Sequence, residues 1–446
     1  MKKIHIKTWG CQMNEYDSSI ILKVLKKNFN CKETNHVEKS DLIILNTCSI
    51  REKAQEKLFH QLGRWKNLKK KKKIIIAVGG CVAVQEKKNI YKRAPFVDIV
   101  FGPKTIHRLP KMIHLIKNNT KNIIDIRAKK LKKFKFFQKK SIPQIISYIS
   151  IMEGCDKCCS FCIVPKTRGR EISRTPEEIY LESKFLSKNG TKEIILLGQN
   201  VNSYKGKFNN GKICKLSKLI KIISKIKKIK RIRFTTSHPI EFTKDLIQTY
   251  KKIPKLVSYL HLPVQSGSDK ILKIMKRSYT ILQYKKIIKK LKLIRPNIQI
   301  TSDFIIGFPG ETKKDFQKTI KLIKKIKFDM SFSFIYSPRP GTIASKLKDK
   351  INLKEKKKRL YILQKKINKN TLFWSKKMVG TYQDVLVEKY IYKKNKKKLY
   401  GKTQNNRIVI FKGPKSLIGK IVFIKIYKAY LYKLKGNLKK KYVKNG

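Results

Sequence analysis

Two things are scarce in this chain of 446 residues, long apolar runs and acidic side chains. No stretch approaches the roughly 18 consecutive apolar residues of a membrane helix, so no spanning segment is expected. No secretory signal opens the chain, and its nine cysteines are an odd number, so structural disulfides are not their expected use. A reducing cytoplasm, where thiols are free to hold metal, is the expected setting. Asp and Glu number 28 against 109 Lys and Arg, a formal net charge of +81. So basic a surface is compatible with RNA, because phosphate binding releases counterions. The excess is mostly Lys, spread along the chain with much Ile and Asn and little Ala, which an AT-rich genome produces whatever the function. Charge alone therefore identifies no partner.

What is present is a concentration of sulfur. Residues 152–169, MEGCDKCCSFCIVPKTRG, hold Cys155, Cys158, Cys159 and Cys162. Cys155, Cys159 and Cys162 stand at C-x3-C-x2-C, a spacing at which three thiolates in one loop can ligate three irons of a four-iron cluster and leave the last open to a substrate. The stretch resembles the signature of radical S-adenosylmethionine (SAM) enzymes. The same cysteines also read as two overlapping C-x2-C pairs, but a zinc ribbon separates its pairs by a dozen or more residues to close a tetrahedron. Cys158 is the surplus thiol, expected in a non-ligating loop position.

Length alone suggests two or three domains. In the first 118 residues, apolar runs at 4–8, 41–46 and 73–78, with a fourth at 97–101, alternate with helical segments at 15–28, 51–67 and 82–91. That alternation predicts an open parallel α/β sheet. Cys11, Cys48 and Cys81 each follow one of the first three runs. In a parallel sheet the strand C-termini share one edge, where ligands bind. Each thiol alone reads as a small buried hydrophobe; three in the same position point to a second cluster. Cys31 and Cys214 occupy no such position and are expected to be structural.

Residues 119–140 read as a basic interdomain linker. From 141 to 374, six expected strands, at 145–152, 193–198, 231–236, 257–263, 298–306 and 330–336, are each followed by helical sequence, predicting a partial (βα)6 barrel with its chemistry at the strand C-termini. The turns there, LLGQN, TTSHP, HLPVQSGS and IIGFPGET, combine glycine with polar side chains, as a site for an amino acid and a ribose would. Gly198, Gln199, Asn200, Ser266 and Gly307 are the candidate SAM contacts. His238 and His261 share that rim, and no acid–base role is assigned to either. Residues 377–440 read as a small antiparallel β-barrel made basic by Arg407, Lys412, Lys420 and Lys425, a type of fold that binds looped RNA or, alternatively, caps an edge.

With all three parts in view, the chain resembles the radical SAM methylthiotransferase family, with an N-terminal cluster domain, a radical SAM core and a C-terminal TRAM barrel. The resemblance runs nearly end to end and is closest to the tRNA-2-methylthio-N6-dimethylallyladenosine synthase (MiaB) type, in TWGCQMNEYDS, LNTCSIREKAQEKLFHQLGRWK, RIRFTTSHPIEFT, HLPVQSGSD, SDFIIGFPGET and GKTQNNR. Cys158 and Lys166 depart from the family pattern, and the tail beyond the barrel is short. The resemblance implies two 4Fe-4S clusters. One, on Cys155, Cys159 and Cys162, would bind SAM and support its cleavage to a 5′-deoxyadenosyl radical. The other, on Cys11, Cys48 and Cys81, would hold the sulfur that a second SAM methylates. The implied substrate is carbon 2 of an isopentenylated adenine beside the tRNA anticodon, an unpaired loop base that a protein can splay out. A low-potential electron donor, a monomeric chain and no membrane are the further expectations. The alternatives are threonylcarbamoyl-adenosine or a ribosomal protein as substrate and, in another class, a non-catalytic zinc-containing RNA-binding protein.

Overall fold

In a computed structural model that describes residues 1–48, 52–127, 143–393 and 396–443, the chain opens with six parallel strands. Their order across the sheet is Lys32–Glu33, Lys3–Trp9, Leu42–Thr47, Ile75–Gly80, Ile99–Phe101 and Ile123–Asp125. Every residue of Leu42–Thr47 is buried, because helices cover both faces of a parallel sheet. Leu42 and Ile44 enter the core on one face with Val24 and Leu25, while Ile43 and Leu45 enter the other with Leu62 and Trp65, the period of two that a strand imposes.

The expected helix at 82–91 is two pieces, Cys81–Glu86 and Asn89–Arg93, because Lys87 turns to φ +50° between them. The edge strands Lys32–Glu33 and Ile123–Asp125 were not foreseen, and the second lies in the stretch expected to be linker. Residues 128–142 of that stretch lie outside the described residues.

Seven parallel strand segments follow, two of them from one expected strand. Ile146–Ser150, Glu193–Leu197 and Arg231–Phe234 pair side by side, and a bridge from Ile232 to Leu256 carries the sheet onward. Tyr259–His261 pairs with Gln299–Thr301, and Asp303–Ile306 with Phe332–Ile335. The single strand expected at 298–306 breaks at Ser302, whose Oγ accepts from the Val264 amide at 2.9 Å and donates to the Leu262 carbonyl at 3.1 Å in place of regular ladder bonds. Outer helices such as Ile281–Ile294 and Lys313–Ile326 begin with complete capping boxes, Thr280 with Gln283 and Thr312 with Asp315. Ile195 and Leu197 of this sheet pack into the N-terminal core, so the two sheets share apolar contacts rather than being joined only by chain.

The last seventy residues close into a barrel of five strands, Tyr382–Lys393, Lys396–Thr403, Ile408–Phe411, Ile421–Ala429 and Lys433–Val443. The fifth was missed in the sequence. It pairs parallel with Ile408–Phe411, and closure leaves no free edge. Arg407, expected on a basic surface, is fully buried instead. It forms a bidentate pair with Asp329 of the central domain at 2.6 and 2.8 Å and binds the Thr371 carbonyl at 3.0 Å. Arg231 and Arg233 reach across the same junction to the carbonyls of Asp384, Lys402 and Gln404. No helix among the described residues is long and apolar enough to cross a membrane.

Candidate cluster and cofactor site

The loop of residues 154–169 leaves the first strand of the central domain through Gly154, at φ +86°. A Cβ there would fall 2.0 Å from the Arg170 carbonyl oxygen, so only glycine fits. The loop is clasped shut by the Cys155 amide donating to the Gly169 carbonyl at 3.0 Å, and the Cys162 amide turns back onto the Cys159 carbonyl at 3.0 Å. Burial pushes the Cys155 thiol up to about 11 and the Cys162 thiol up to about 12, and both also feel Cys159. Three thiols thus share one basin, and Cys155 and Cys162 would stay protonated at neutral pH without a cationic centre to displace the proton. Cys158 is exposed, its sulfur 3.9 Å from the Asp156 carbonyl, and stands apart from them.

Arg277 sits beside that basin. Its Nη1 lies 3.6 Å from Cys159 Sγ, while Nη2 donates to the Pro263 carbonyl at 2.8 Å and Nε to Tyr279 Oη at 3.2 Å.

At the edge of the N-terminal sheet, Cys11, Cys48 and Cys81 follow three strands that are immediate neighbours in order. Two glycines permit the approach. A Cβ on Gly10 would stand 2.5 Å from Cys48 Cβ, and one on Gly80 would stand 2.3 Å from the Thr47 carbonyl oxygen. A hydrogen bond from Cys48 draws the Cys11 thiol down to about 6, with Arg168 adding to the effect. Burial raises Cys81, and the positive charge of Arg168 opposes the rise. Asn14 and Asn46 brace the site. Cys11 Sγ donates to Asn14 Oδ1 at 3.4 Å, and Asn46 Nδ2 to the Asn14 carbonyl at 2.9 Å. Among the described residues no three His, Cys, Asp or Glu side chains are gathered as tightly as ligands of a single ion. A four-iron cube, by contrast, holds its thiolates at separate corners.

Arg168 joins the two sulfur sites. It ends the helix Val164–Arg168 in the last part of the cluster loop, and that helix packs on Cys81–Glu86. Its guanidinium is 3% exposed and donates to Glu153 Oε1 at 3.0 Å and to Asp17 Oδ2 at 2.8 Å. All three residues stand inside the motifs that drew attention in the sequence, yet only the cysteines of those motifs were singled out. A charged residue amid apolar and cysteine neighbours was the available signal.

Of the five candidate SAM contacts, Gln199 accepts a hydrogen bond from the Gly154 amide at 2.7 Å and so braces the cluster loop. Asn200 is 2% exposed, and neither polar atom of its side chain has a partner among the described residues. Buried Ser237 Oγ, on the next turn, is likewise unpartnered and was not singled out in the sequence. Such atoms are costly unless a ligand or water satisfies them, so this rim fits a polar cofactor. A Cβ on Gly198 would lie 2.5 Å from Met152 Cγ. Ser266 is fully buried with its hydroxyl taken by the Ser268 amide at 3.2 Å, and the Gly307 amide is taken by Glu311 at 2.9 Å. These two shape their turns rather than offer free groups.

His238 caps its own turn and is held neutral, burial pushing it down to about 2, while His261 bonds to Thr301 at 2.9 Å. Cys31 and Cys214 are buried in the apolar cores, as expected. Between the domains, a cleft of about 1320 Å³ is lined by Gln85, Lys104, Arg108, Arg127, Lys166 and Arg168 among others.

Comparison with known proteins finds matches to three stretches of the chain. Residues 3–102 match the model described as Uncharacterized protein family UPF0004, residues 149–323 match the Radical SAM superfamily, and residues 376–439 match the TRAM domain. A tRNA-2-methylthio-N(6)-dimethylallyladenosine synthase of Buchnera aphidicola subsp. Schizaphis graminum is 61% identical over 98% of this chain and 100% of its own. Its counterpart from Histophilus somni is 53% identical over 98% of this chain and 92% of its own. Among solved structures, a radical SAM methyltransferase, TsrM, from Kitasatospora setae with cobalamin and a 4Fe-4S cluster bound has a TM-score of 0.55. At 11% identity over 77% of this chain and 74% of its own, it is a likeness of fold.

Proposed function

The chain belongs to the tRNA-2-methylthio-N6-dimethylallyladenosine synthase family of radical SAM enzymes, and we propose that its own residues equip it for the family reaction, transfer of a methylthio group to carbon 2 of an isopentenylated adenosine in the tRNA anticodon loop. The observation that carries the reading is that two thiol triads stand at strand ends of two sheets in contact, with Arg168, on the loop that carries one triad, buried beside the other. Cys155, Cys159 and Cys162 would hold the cluster that binds SAM, and Cys11, Cys48 and Cys81 the auxiliary cluster.

When bound, the clusters and SAM supply the one-electron chemistry and the sulfur, which no side chain of the twenty could provide for an unpolarised C–H bond. The protein's part is geometry and exclusion of water. Gly154 and Gln199 fix the cluster loop against the barrel rim. Asn200 and Ser237 offer the SAM amino acid and ribose the polar partners they lack. The helix Val164–Arg168 holds the two sulfur sites at a set distance, so that an extruded base meets both. The basic cleft beside that helix gives the RNA backbone a seat, and the C-terminal barrel extends the basic surface. A low-potential electron donor and a monomeric chain in a reducing cytoplasm complete the proposal.

Nucleoside analysis of tRNA from a deletion strain tests it. Isopentenyl-adenosine should accumulate without its methylthio group, and complementation should restore it. Methylthiolation that persists on that base, with threonylcarbamoyl-adenosine or a ribosomal protein losing its own, would transfer the activity to another substrate.

A further inference from the structure

Each thiol triad has one arginine buried against it, and the two arginines come from different parts of the central domain. Arg277 is 7% exposed, and its partners are a backbone carbonyl, a phenol and the sulfur of Cys159, with no carboxylate among them. A buried guanidinium without a negative partner is unfavourable by several kcal/mol. A neutral thiol is a weak acceptor that would do little to relieve it. A thiolate that ligates iron carries charge and accepts a charge-assisted N–H···S bond, so the arrangement makes sense when Cys159 is ionised.

Arg168 stands at the other triad and, unlike Arg277, is paired with two carboxylates. Two of its nitrogens are pinned by Glu153 and Asp17, its helix packs on the one that begins with Cys81, and its charge opposes the rise that burial gives that thiol. Nε and Nη2 of Arg277 are tied to fixed groups and two nitrogens of Arg168 are held by buried carboxylates, so neither fork is free to turn. Hydrogen bonds and positive charge at ligating sulfurs favour the reduced cluster and raise its potential.

We propose that Arg277 and Arg168 are positioning residues that set the reduction potentials of the two clusters separately, Arg277 through Cys159 and Arg168 through Cys81. The proposal rests on the reading that both triads hold clusters. Different potentials would let one electron be directed to the SAM site while the sulfur-bearing cluster keeps its state.

The test is a potentiometric titration followed by electron paramagnetic resonance on anaerobically purified, reconstituted full-length protein without tRNA. The SAM-site signal is identified as the one that changes when SAM is added. Arg277→Lys should shift that midpoint to lower potential and leave the other in place, and Arg168→Lys should do the reverse. Unmoved midpoints in iron-replete variants, or one substitution moving both, would overturn the proposal. Asp17→Asn separates fold from tuning, because it loosens the Arg168 ion pair without removing the positive charge that acts on Cys81. If Arg168→Lys and Asp17→Asn both lose the auxiliary iron, Arg168 is a structural brace and its half of the proposal fails. Wild-type protein with a single cluster would instead defeat the two-cluster reading before any variant is compared.

Discussion

Cys158 and Cys159 are neighbours in sequence with opposite surroundings, one exposed and the other against a buried guanidinium. Cys159→Ala should abolish reductive cleavage of SAM, measured as 5′-deoxyadenosine formed with dithionite, whereas Cys158→Ala should change it less than twofold. Cys48→Ala should leave cleavage intact and stop methylthiolation, so loss of both activities would argue against a division of labour between triads. Asn200→Ala should raise the KM for SAM by roughly tenfold, on the order of the 1.4 kcal/mol that one or two hydrogen bonds contribute. The thiols were legible because their spacing is local or repeats at strand ends. Arg168 was not, because its partner Asp17 lies 151 residues away and only the fold brings them together.

The same division between local and long-range information appears among the elements. Leu42–Thr47 and Ile75–Gly80 are apolar on both faces and could be read directly. No strand was read at Lys433–Val443, although Leu434, Gly436 and Leu438 alternate with outward-facing Lys435, Asn437 and Lys439. Gly436 is needed there, since a Cβ would stand 2.3 Å from Ile424 Cγ2. Gly80 has a similar role at the site. It has φ +93°, and a side chain would strike the Thr47 carbonyl. Gly80→Ala should therefore separate the ends of Leu42–Thr47 and Ile75–Gly80 and lower iron from about eight to about four per chain, a loss confined to the auxiliary cluster. Iron analysis together with retained SAM cleavage checks this, and full iron content would show that the strand ends can yield without losing the site.

At the scale of the whole molecule, the large positive charge is less informative than the way the barrel is attached. Arg407 and Asp329 are both fully buried, and removing one partner of such a pair leaves an uncompensated charge, typically a loss of about 3–5 kcal/mol. Asp329→Asn should loosen the barrel from the central domain while leaving each with its own core. The expected signs are an early unfolding step and rapid proteolysis near the Leu353–Lys376 helix that leads to the barrel. SAM cleavage without tRNA should persist, since Gly154, Gln199 and Arg277, which shape the cluster loop and its basin, all belong to the central domain. Affinity for tRNA should fall, with a shallower dependence on salt, because phosphate contacts from a displaced barrel no longer add to those of the cleft. Replacing the pair by Arg407→Met with Asp329→Leu should recover most of the lost stability, as apolar substitutes for buried ion pairs commonly do. Recovery of tRNA affinity in that double variant would show that the pair serves RNA binding only by holding the barrel in register with the two thiol sites. Failure to recover, with stability restored, would mean that the charges themselves orient the barrel.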